Sequence, residues 1–570
     1  MERKYFEATE CKNLKEVMEA SVRKYGNKTA FIVKLENKEK KNISYKELYD
    51  DINSFGSALY NLGYKDKRVA IIGKNRYEWI VAHLANQFGG MISVPLDKDL
   101  QFEELESSLI RSKADVIVFD PKLTDLVMQV KDAGKTNLKE YILMDKSQEF
   151  TNVPDLIAKG KQLIENGYDE FLNYEIDENR MNTLLFTSGT TSKSKAVMLN
   201  QRGVASNIYA LQLVEDVHSY DTNIAFLPFH HIFGSTCIIF MLSQGVTTCF
   251  PDGLRYIKQN LKEYGVSVFV GVPILTEAIY KAIRKEIEKQ NKTKLVDTMT
   301  KICNFLLKFK IDIRRVVFKS ILKELGGKLR LIVVGGAAQD PEVIKGFDSF
   351  GITTVQGYGL TETSPVVAAE SYVFRKPGTV GRPMPNVEVK IFNPDDDGIG
   401  EVIVRGPNIM LGYYEMEDKT NEVLVDGWFH TGDIGYLDED GCLVLTGRNK
   451  SMIVLKNGKK VFPEELETIV NRLDLVLESM VYGLENEDDK VDVTLSIKVV
   501  YDDEYIKEKY SDKTDEELDK ILWEQIKEIN KGFPRYKHIQ NMTTTHTELI
   551  KTTTKKIKRF EEMKLIKEGK

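Results

Sequence analysis

The segment Leu184–Val197 reads LLFTSGTTSKSKAV. An apolar run leads into seven small or hydroxyl residues and two lysines. Backbone N–H groups and the hydroxyls of Thr187, Ser188, Thr190 and Thr191, with Gly189 among them, can wrap phosphate oxygens. A lysine such as Lys195 adds a point charge. A flexible Ser/Thr-rich loop has the same composition, and composition leaves both readings open. The P-loop pattern G-x-x-x-x-G-K-[ST] does not fit. Counted from Gly189, its second glycine falls on Ser194 and its Ser/Thr on Ala196; only Lys195 agrees. Two misses at essential places argue against that class of NTPase.

Other strings follow in order. Gly335-Gly336-Ala337-Ala338 comes after the strand-like LRLIVV, and glycine there lets backbone approach a planar group closely. A tight strand–helix turn would use the same residues. Next comes Gln356-Gly357-Tyr358-Gly359-Leu360-Thr361-Glu362-Thr363-Ser364-Pro365, then Trp428–Tyr436 (WFHTGDIGY) and Gly447-Arg448-Asn449-Lys450. The chain closes with Lys551–Arg559 (KTTTKKIKR). Together these resemble, across about Asn13 to Arg559, the adenylate-forming, acyl-activating (AMP-binding) superfamily. The first string matches its TSGTTGxPKG loop, with Ser192, Ser194 and Ala196 in place of Gly, Pro and Gly. The others match its GYGxTE, W-x-x-TGD and K-T-x-x-G-K-I-x-R signatures, with Lys555 at the last glycine. Order and size look most like a bacterial long-chain fatty acid–CoA ligase.

The resemblance implies ATP, Mg²⁺ and coenzyme A (as co-substrate), and two half-reactions: a fatty carboxylate becomes an acyl-adenylate with loss of pyrophosphate, and the coenzyme A thiol then displaces AMP. It implies that Lys195 and Thr187–Thr191 hold phosphates. Gly335, Gly336, Ala337, Gly357, Tyr358 and Gly359 would surround adenine, and Thr361 would bond phosphate. Glu362 would hold Mg²⁺, a hard cation that prefers oxygen ligands and substrate phosphates. Asp433 and Arg448 would anchor ribose, Lys450 would be the hinge, and Lys556 would meet the substrate carboxylate and α-phosphate. Gly458 would line the pantetheine tunnel. Leu227–Gly234 resembles the LPxxH segment beside the acyl pocket, with His231, Phe233 and Gly271 as acyl-site residues. The Lys-rich stretch Lys281–Lys323 resembles an insertion of long-chain ligases. Two alternatives share these motifs: a ligase that delivers the acyl group to a carrier protein, and a non-catalytic nucleotide or lipid sensor.

Such residues need elements to hold them. Arg68–Ile72, Met91–Pro95, Ala114–Phe119, Val266–Val270, Leu329–Val334 and Thr353–Gln356 are short apolar runs with helical patterns between, such as Glu78–Phe88. This rhythm predicts parallel sheets covered by helices. Val387–Phe392 and Gly400–Arg405 alternate around a turn and predict an antiparallel hairpin. The expected fold is α/β: a multi-subdomain N-terminal region, 1–447, with parallel α/β sheets and a β-rich subdomain, and a small α+β C-terminal domain, 448–570, mobile by resemblance. Cys237–Leu242 and Val266–Leu275 are too short to cross a bilayer and are expected as buried strands or helix ends.

Across 570 residues the chain is 42% hydrophobic and 29% charged, with net charge −6. That suits a soluble globular protein and argues against a nucleic-acid partner. Five scattered cysteines without CxxC spacing fit a reducing compartment, and no leader pattern opens the chain. The expected location is the cytoplasm. The last twenty residues carry eight Lys/Arg against three Glu. They leave room for peripheral contact with the inner face of a membrane. Oligomeric state is not legible.

Overall fold

The computed structural model describes residues 5–35, 37–187, 195–456, 459–485, 493–551 and 557–568. Among these, two large mixed sheets carry the N-terminal region. One runs Gly412–Tyr413, Lys195–Asn200, Met181–Thr187, Ile92–Leu96, Arg68–Ile72, Val116–Phe119, Glu140–Leu143 and Thr151–Asn152. Its middle strands pair in parallel. Val116–Phe119 and Ile92–Leu96 are buried along their whole length, as expected of parallel strands covered on both faces.

The second sheet contains, as consecutive neighbours, Val366–Ala369, Thr353–Gly359, Leu331–Val334, Val268–Gly271 and Thr222–Ile224. Thr353–Gly359, Leu331–Val334 and Val268–Gly271 are in parallel register, so Gly271, Val334 and the Gln356-Gly357-Tyr358 stretch end on one edge. The expected strands are present, with ends within three residues of those expected. Cys237–Leu242 lies inside the helix Ile232–Ser243, and Val266–Leu275 divides into the strand Val268–Gly271 and the start of the helix Pro273–Lys289.

Local chemistry fixes several joints. Ser44 caps the helix Tyr45–Asn61 by accepting from the Glu47 N–H at 3.1 Å, while Glu47 accepts from the Ser44 N–H at 2.7 Å. This reciprocal box accounts for the Ile43–Leu48 string. Asp340 caps Pro341–Ser349 through the Glu342 N–H. The Ser349 hydroxyl on that helix donates back to the Gly346 carbonyl at 2.7 Å.

The hairpin Glu388–Phe392/Gly400–Arg405 forms as expected, and it joins a five-stranded sheet with Trp428–Leu437 and Leu443–Arg448. Beyond it, a three-stranded sheet of Val476–Glu485, Val493–Tyr501 and Asn541–Thr545 packs with helices around Leu466, Leu495, Ile497 and Leu522. Ion pairs tie this C-terminal part to the large region: Arg472 grips Asp340 with two bonds of 2.8 and 2.9 Å, and Lys281–Asp502 (3.0 Å) and Lys285–Glu508 (2.5 Å) bridge to the helix Pro273–Lys289.

Candidate active site

Lys195 opens the strand Lys195–Asn200, directly opposite Thr187 across an antiparallel pair. The Thr187 hydroxyl donates to the Lys195 carbonyl at 3.3 Å. The strands therefore deliver both ends of the phosphate-loop string to one place. Ser188, Gly189, Thr190 and Thr191, with Ser192 and Ser194, lie outside the described residues. Ala196 is 1% exposed and packs with Leu184 and Ile72. Its methyl group fills core space, so this departure from the usual glycine is a buried strand residue.

The Lys195 ammonium stands 4.2 Å from the centre of the Tyr413 ring. The Tyr413 hydroxyl donates to the Glu362 carboxylate at 3.0 Å. Tyr413 comes from the two-residue strand Gly412–Tyr413, paired antiparallel to Val197 and Met198, and is almost fully buried. Sequence reading missed it; its only signal was the Gly-Tyr-Tyr string beyond the hairpin. Burial lowers the Lys195 pKa, Lys450 lowers it further, and Glu362 opposes both. Burial and Glu362 push the Tyr413 phenol far up, so it stays a donor. Glu362 sits in the short turn Thr361–Thr363, and its carbonyl accepts from the Met410 N–H at 2.9 Å.

A second cluster forms around Asp433. Its carboxylate accepts from the Tyr358 hydroxyl at 2.6 Å and pairs with the Arg448 Nε at 2.8 Å. Asp433 and Arg448 are cross-strand partners in register, which explains how a GRNK string reaches a TGD string. The Asp433 carboxylate is the largest influence holding the Arg448 pKa up, and Glu362 adds to it. The two clusters therefore share one electrostatic field. Tyr358 is buried, and burial then Asp433 raise its phenol well above the usual range. Its hydroxyl is committed to Asp433, which leaves the ring face as its surface for a planar partner.

Glycine is required at the strand ends. Gly336 has φ +89°, a left-handed conformation that favours glycine. A Cβ on Gly359 would stand 1.8 Å from the Pro365 carbonyl oxygen. A Cβ on Gly335 would stand 2.9 Å from the Phe233 ring and 3.6 Å from the Gly357 carbonyl oxygen. The Gly335 N–H donates to the Gly271 carbonyl at 3.2 Å. Phe233, Gly271, Gly335 and Gly357 thus converge, bringing the residues expected at the acyl site and those expected around adenine to one sheet edge. Ala337 follows Gly336 in the turn before Pro341–Ser349.

His231 caps the buried helix Ile232–Ser243, and its ring lies 4.4 Å from that of His230. The Nε2 of His230 is 3.4 Å from the Asp97 carboxylate. Asn75, another residue sequence reading missed, fixes this segment. Its amide donates to the carbonyls of Ala225 (2.8 Å) and Leu227 (2.7 Å), and its oxygen accepts from the Phe229 N–H at 3.0 Å. A small void of about 10 Å³ lies beneath, lined by Ala225, Phe229, Gly234, Cys237, Ile238 and Val270. Burial pushes the Cys237 thiol up to about 12, so it serves as an apolar lining group.

Lys556 and Gly458 lie outside the described residues. The flanks of Lys556 are placed: Lys551 pairs antiparallel with Ile557. Lys551 bridges Glu478 (2.9 Å) and Glu548 (2.8 Å), and Arg559 bridges the buried Glu467 (2.5 Å). Lys551 and Arg559 are therefore neutralised within their own domain. Among the described residues no group of three or more His, Cys, Asp or Glu could hold a metal ion. A Mg²⁺ at Glu362 would need oxygens from bound phosphates, which is this ion's usual manner of binding.

The AMP-binding enzyme family matches residues 18–414, and the AMP-binding enzyme C-terminal domain matches 450–566. Long chain acyl-CoA synthetase 2 of Arabidopsis thaliana is 29% identical over 77% of this chain and 71% of its own length. The chloroplastic long-chain-fatty-acid–acyl-carrier-protein ligase AEE15 of the same plant is 27% identical over 84% and 75%. The crystal structure of the anthranilate CoA ligase AuaEII in complex with anthranoyl-AMP superposes with TM-score 0.77 at 19% identity, covering 97% of each chain. That likeness shows the fold.

Proposed function

The chain belongs to the AMP-binding enzyme family, and from that premise we propose that it activates a long-chain fatty acid with ATP and transfers the acyl group to coenzyme A. The observation that carries this reading is the pairing of two clusters in one field: Lys195–Tyr413–Glu362, suited to phosphates, and Tyr358–Asp433–Arg448, suited to a nucleoside. The relatives that act on long-chain fatty acids support the acyl class.

In the first half-reaction a carboxylate oxygen bonds to the α-phosphorus of ATP, the α–β anhydride breaks, and pyrophosphate leaves. The carboxylate is already ionised near neutral pH, so no general base is needed. The protein's part is positioning and charge stabilisation. Lys195, with Thr187 and the loop through Thr191, draws the phosphates. Asp433 and Arg448 hold the ribose hydroxyls. The Tyr358 face and the backbone of Gly335, Gly336, Gly357 and Gly359 pack the adenine, and Thr361 bonds phosphate. Mg²⁺ held by Glu362 would supply further neutralisation when bound. Phe233, Gly271 and His231 border the acyl group. We assign Lys556 to the carboxylate and α-phosphate. In the second half-reaction the thiol sulfur bonds to the acyl carbon and AMP leaves. The C-terminal domain turns about Lys450 between the steps, withdrawing Lys556 and bringing Gly458 to the pantetheine arm.

The test is ATP–pyrophosphate exchange over carboxylic acids of graded chain length, followed by product analysis with coenzyme A and, separately, with a holo acyl-carrier protein. The expected result is exchange with long-chain acids and thioester on coenzyme A. Thioester on the carrier alone would refute the acceptor. Absence of exchange with every acid would refute the activity. Lys556→Ala is expected to abolish exchange and to spare thioester formation from supplied acyl-adenylate; equal loss of both would remove the Lys556 assignment.

A further inference from the structure

One acid outside the two clusters grips the turn that carries Asp433. The strands Gly400–Arg405 and Trp428–Leu437 run antiparallel, with Glu401 opposite Ile434 and Ile403 opposite His430. Between those pairs Val402 alone faces Thr431, Gly432 and Asp433. The longer strand therefore bulges, and a bulge disrupts the ladder and re-aims a side chain. Here the side chain is the Asp433 carboxylate, which meets Tyr358 and Arg448.

Side chains stand in for the disrupted ladder. The Thr431 hydroxyl donates to the Val402 carbonyl at 2.7 Å and accepts from the Asp433 N–H at 3.0 Å. One Glu401 oxygen accepts from the Gly432 N–H at 3.0 Å, and the other lies 2.9 Å from Nδ1 of His430. A carboxylate only accepts, so Nδ1 carries the hydrogen. The Phe392 ring packs edge-on against the His430 ring, 5.0 Å between centres. The His430 and Glu401 side chains are only 18% and 22% exposed, so water is a poor substitute for either bond. Gly432 has φ +71°, in the left-handed region, and glycine brings no side chain to hold its own conformation. Its peptide groups must be gripped from outside. Its carbonyl accepts from the Asn449 N–H at 2.9 Å. Asn449 adjoins Lys450, the residue assigned to the hinge. Of the two grips on Gly432, Glu401 is therefore the one that belongs to the N-terminal region.

We propose that Glu401 is a positioning residue for the nucleotide ribose: through Gly432 and His430 it sets where the Asp433 carboxylate stands. That role rests on Asp433 as the ribose anchor. The experiment is titration calorimetry of the full chain with ATP and with 2′-deoxy-ATP. The deoxy nucleotide lacks one hydroxyl that Asp433 would accept from, so the ratio of the two affinities reads the placement of that carboxylate. A general loss of structure would lower both affinities alike. Wild type is expected to prefer ATP about tenfold. Glu401→Ala should weaken ATP about tenfold and 2′-deoxy-ATP about twofold at most, so that most of the preference disappears. Glu401→Gln keeps an acceptor for the Gly432 N–H and should retain the preference. Glu401→Asp keeps the charge without the reach and should fall between; its ratio decides the matter if Glu401→Ala has no unfolding transition. Asp433→Ala is the reference and should lose the preference. No preference in wild type, or one that survives Asp433→Ala, would remove the ribose anchor and this role with it. A preference lost in Asp433→Ala but intact in Glu401→Ala, or equal losses on both nucleotides in Glu401→Ala, would overturn the role of Glu401 alone. Calorimetry reads no acyl chemistry, so each of these failures is separable from failure of the ligase reading.

Discussion

Removing a single oxygen atom from Tyr413 tests how the phosphate end is built. The hydroxyl donates to the Glu362 carboxylate at 3.0 Å, and the ring lies 4.2 Å from the Lys195 ammonium. A hydrogen bond to a charged group contributes about 1.5–3 kcal/mol. Glu362 is half-buried, so water recovers part of this, and about 1–2 kcal/mol remains. At about 1.4 kcal/mol per decade, Tyr413→Phe should lower kcat/KM for ATP about 5- to 30-fold. The phenol is pushed far up by burial and Glu362, so the loss should be constant from pH 6 to 9. Tyr413→Leu also removes the aromatic face, about 0.5–2 kcal/mol more, and should bring the loss near a hundredfold. The assay is fatty-acid-dependent pyrophosphate exchange at varied ATP, with unfolding temperatures recorded. If Tyr413→Phe matches wild type while Tyr413→Leu is inactive, the ring alone matters and the Glu362 bond does not orient the site. If both match wild type, Tyr413 lies outside the working site.

Asp433→Asn keeps an acceptor for Tyr358 but leaves Arg448 without its carboxylate; ATP affinity by calorimetry should fall at least tenfold, about 1.4 kcal/mol, and unchanged affinity would defeat the ribose assignment. Glu370 is buried and accepts from the N–H groups of Gln356 and Lys376, and burial raises it from 4.5 to about 7. Its neutral form is favoured in the fold, so its contribution is fully present below about pH 4.5 and is lost as pH rises through about 7. The difference is about 3 kcal/mol as an upper bound. Glu370→Gln should flatten the fall in urea stability between pH 5 and 8, and an unaltered pH profile would refute this. Arg472→Ala removes a half-exposed two-pronged grip on Asp340, about 1 kcal/mol. Limited proteolysis in the Arg448–Leu455 connection should quicken about fivefold, with Arg472→Lys between; equal rates would show that this pair does not hold the C-terminal domain.

The sheets were legible because parallel strands buried on both faces read as short β-branched runs, and Arg68–Ile72 and Leu331–Val334 did so. The glycines were legible too, since Gly336 and Gly359 sit where a side chain is strained or blocked. Three features were not. Tyr413 reaches Glu362 across 51 residues, and only the pairing of Gly412–Tyr413 with Met198 and Val197 brings them together. Asn75 works through three backbone contacts more than 150 residues away or close to it, and an isolated asparagine carries no periodic signal. Ala196 read as a departure from a loop, whereas its neighbours extend the strand so that it starts one residue earlier and the methyl group belongs to the core.

Charge shows most clearly what a count of residues hides. The C-terminal tail has a dense run of lysines, and by composition it was the natural candidate for an anionic surface. Yet Lys551, Lys558 and Arg559 each meet a carboxylate of their own domain, at 2.8, 3.2 and 2.5 Å. Their field is largely cancelled beyond a Debye length. The tail's pairs have a structural effect: Lys551 bridges Glu478 and Arg559 donates to the Val481 carbonyl, both on the strand Val476–Glu485, so these two residues move wherever that strand moves.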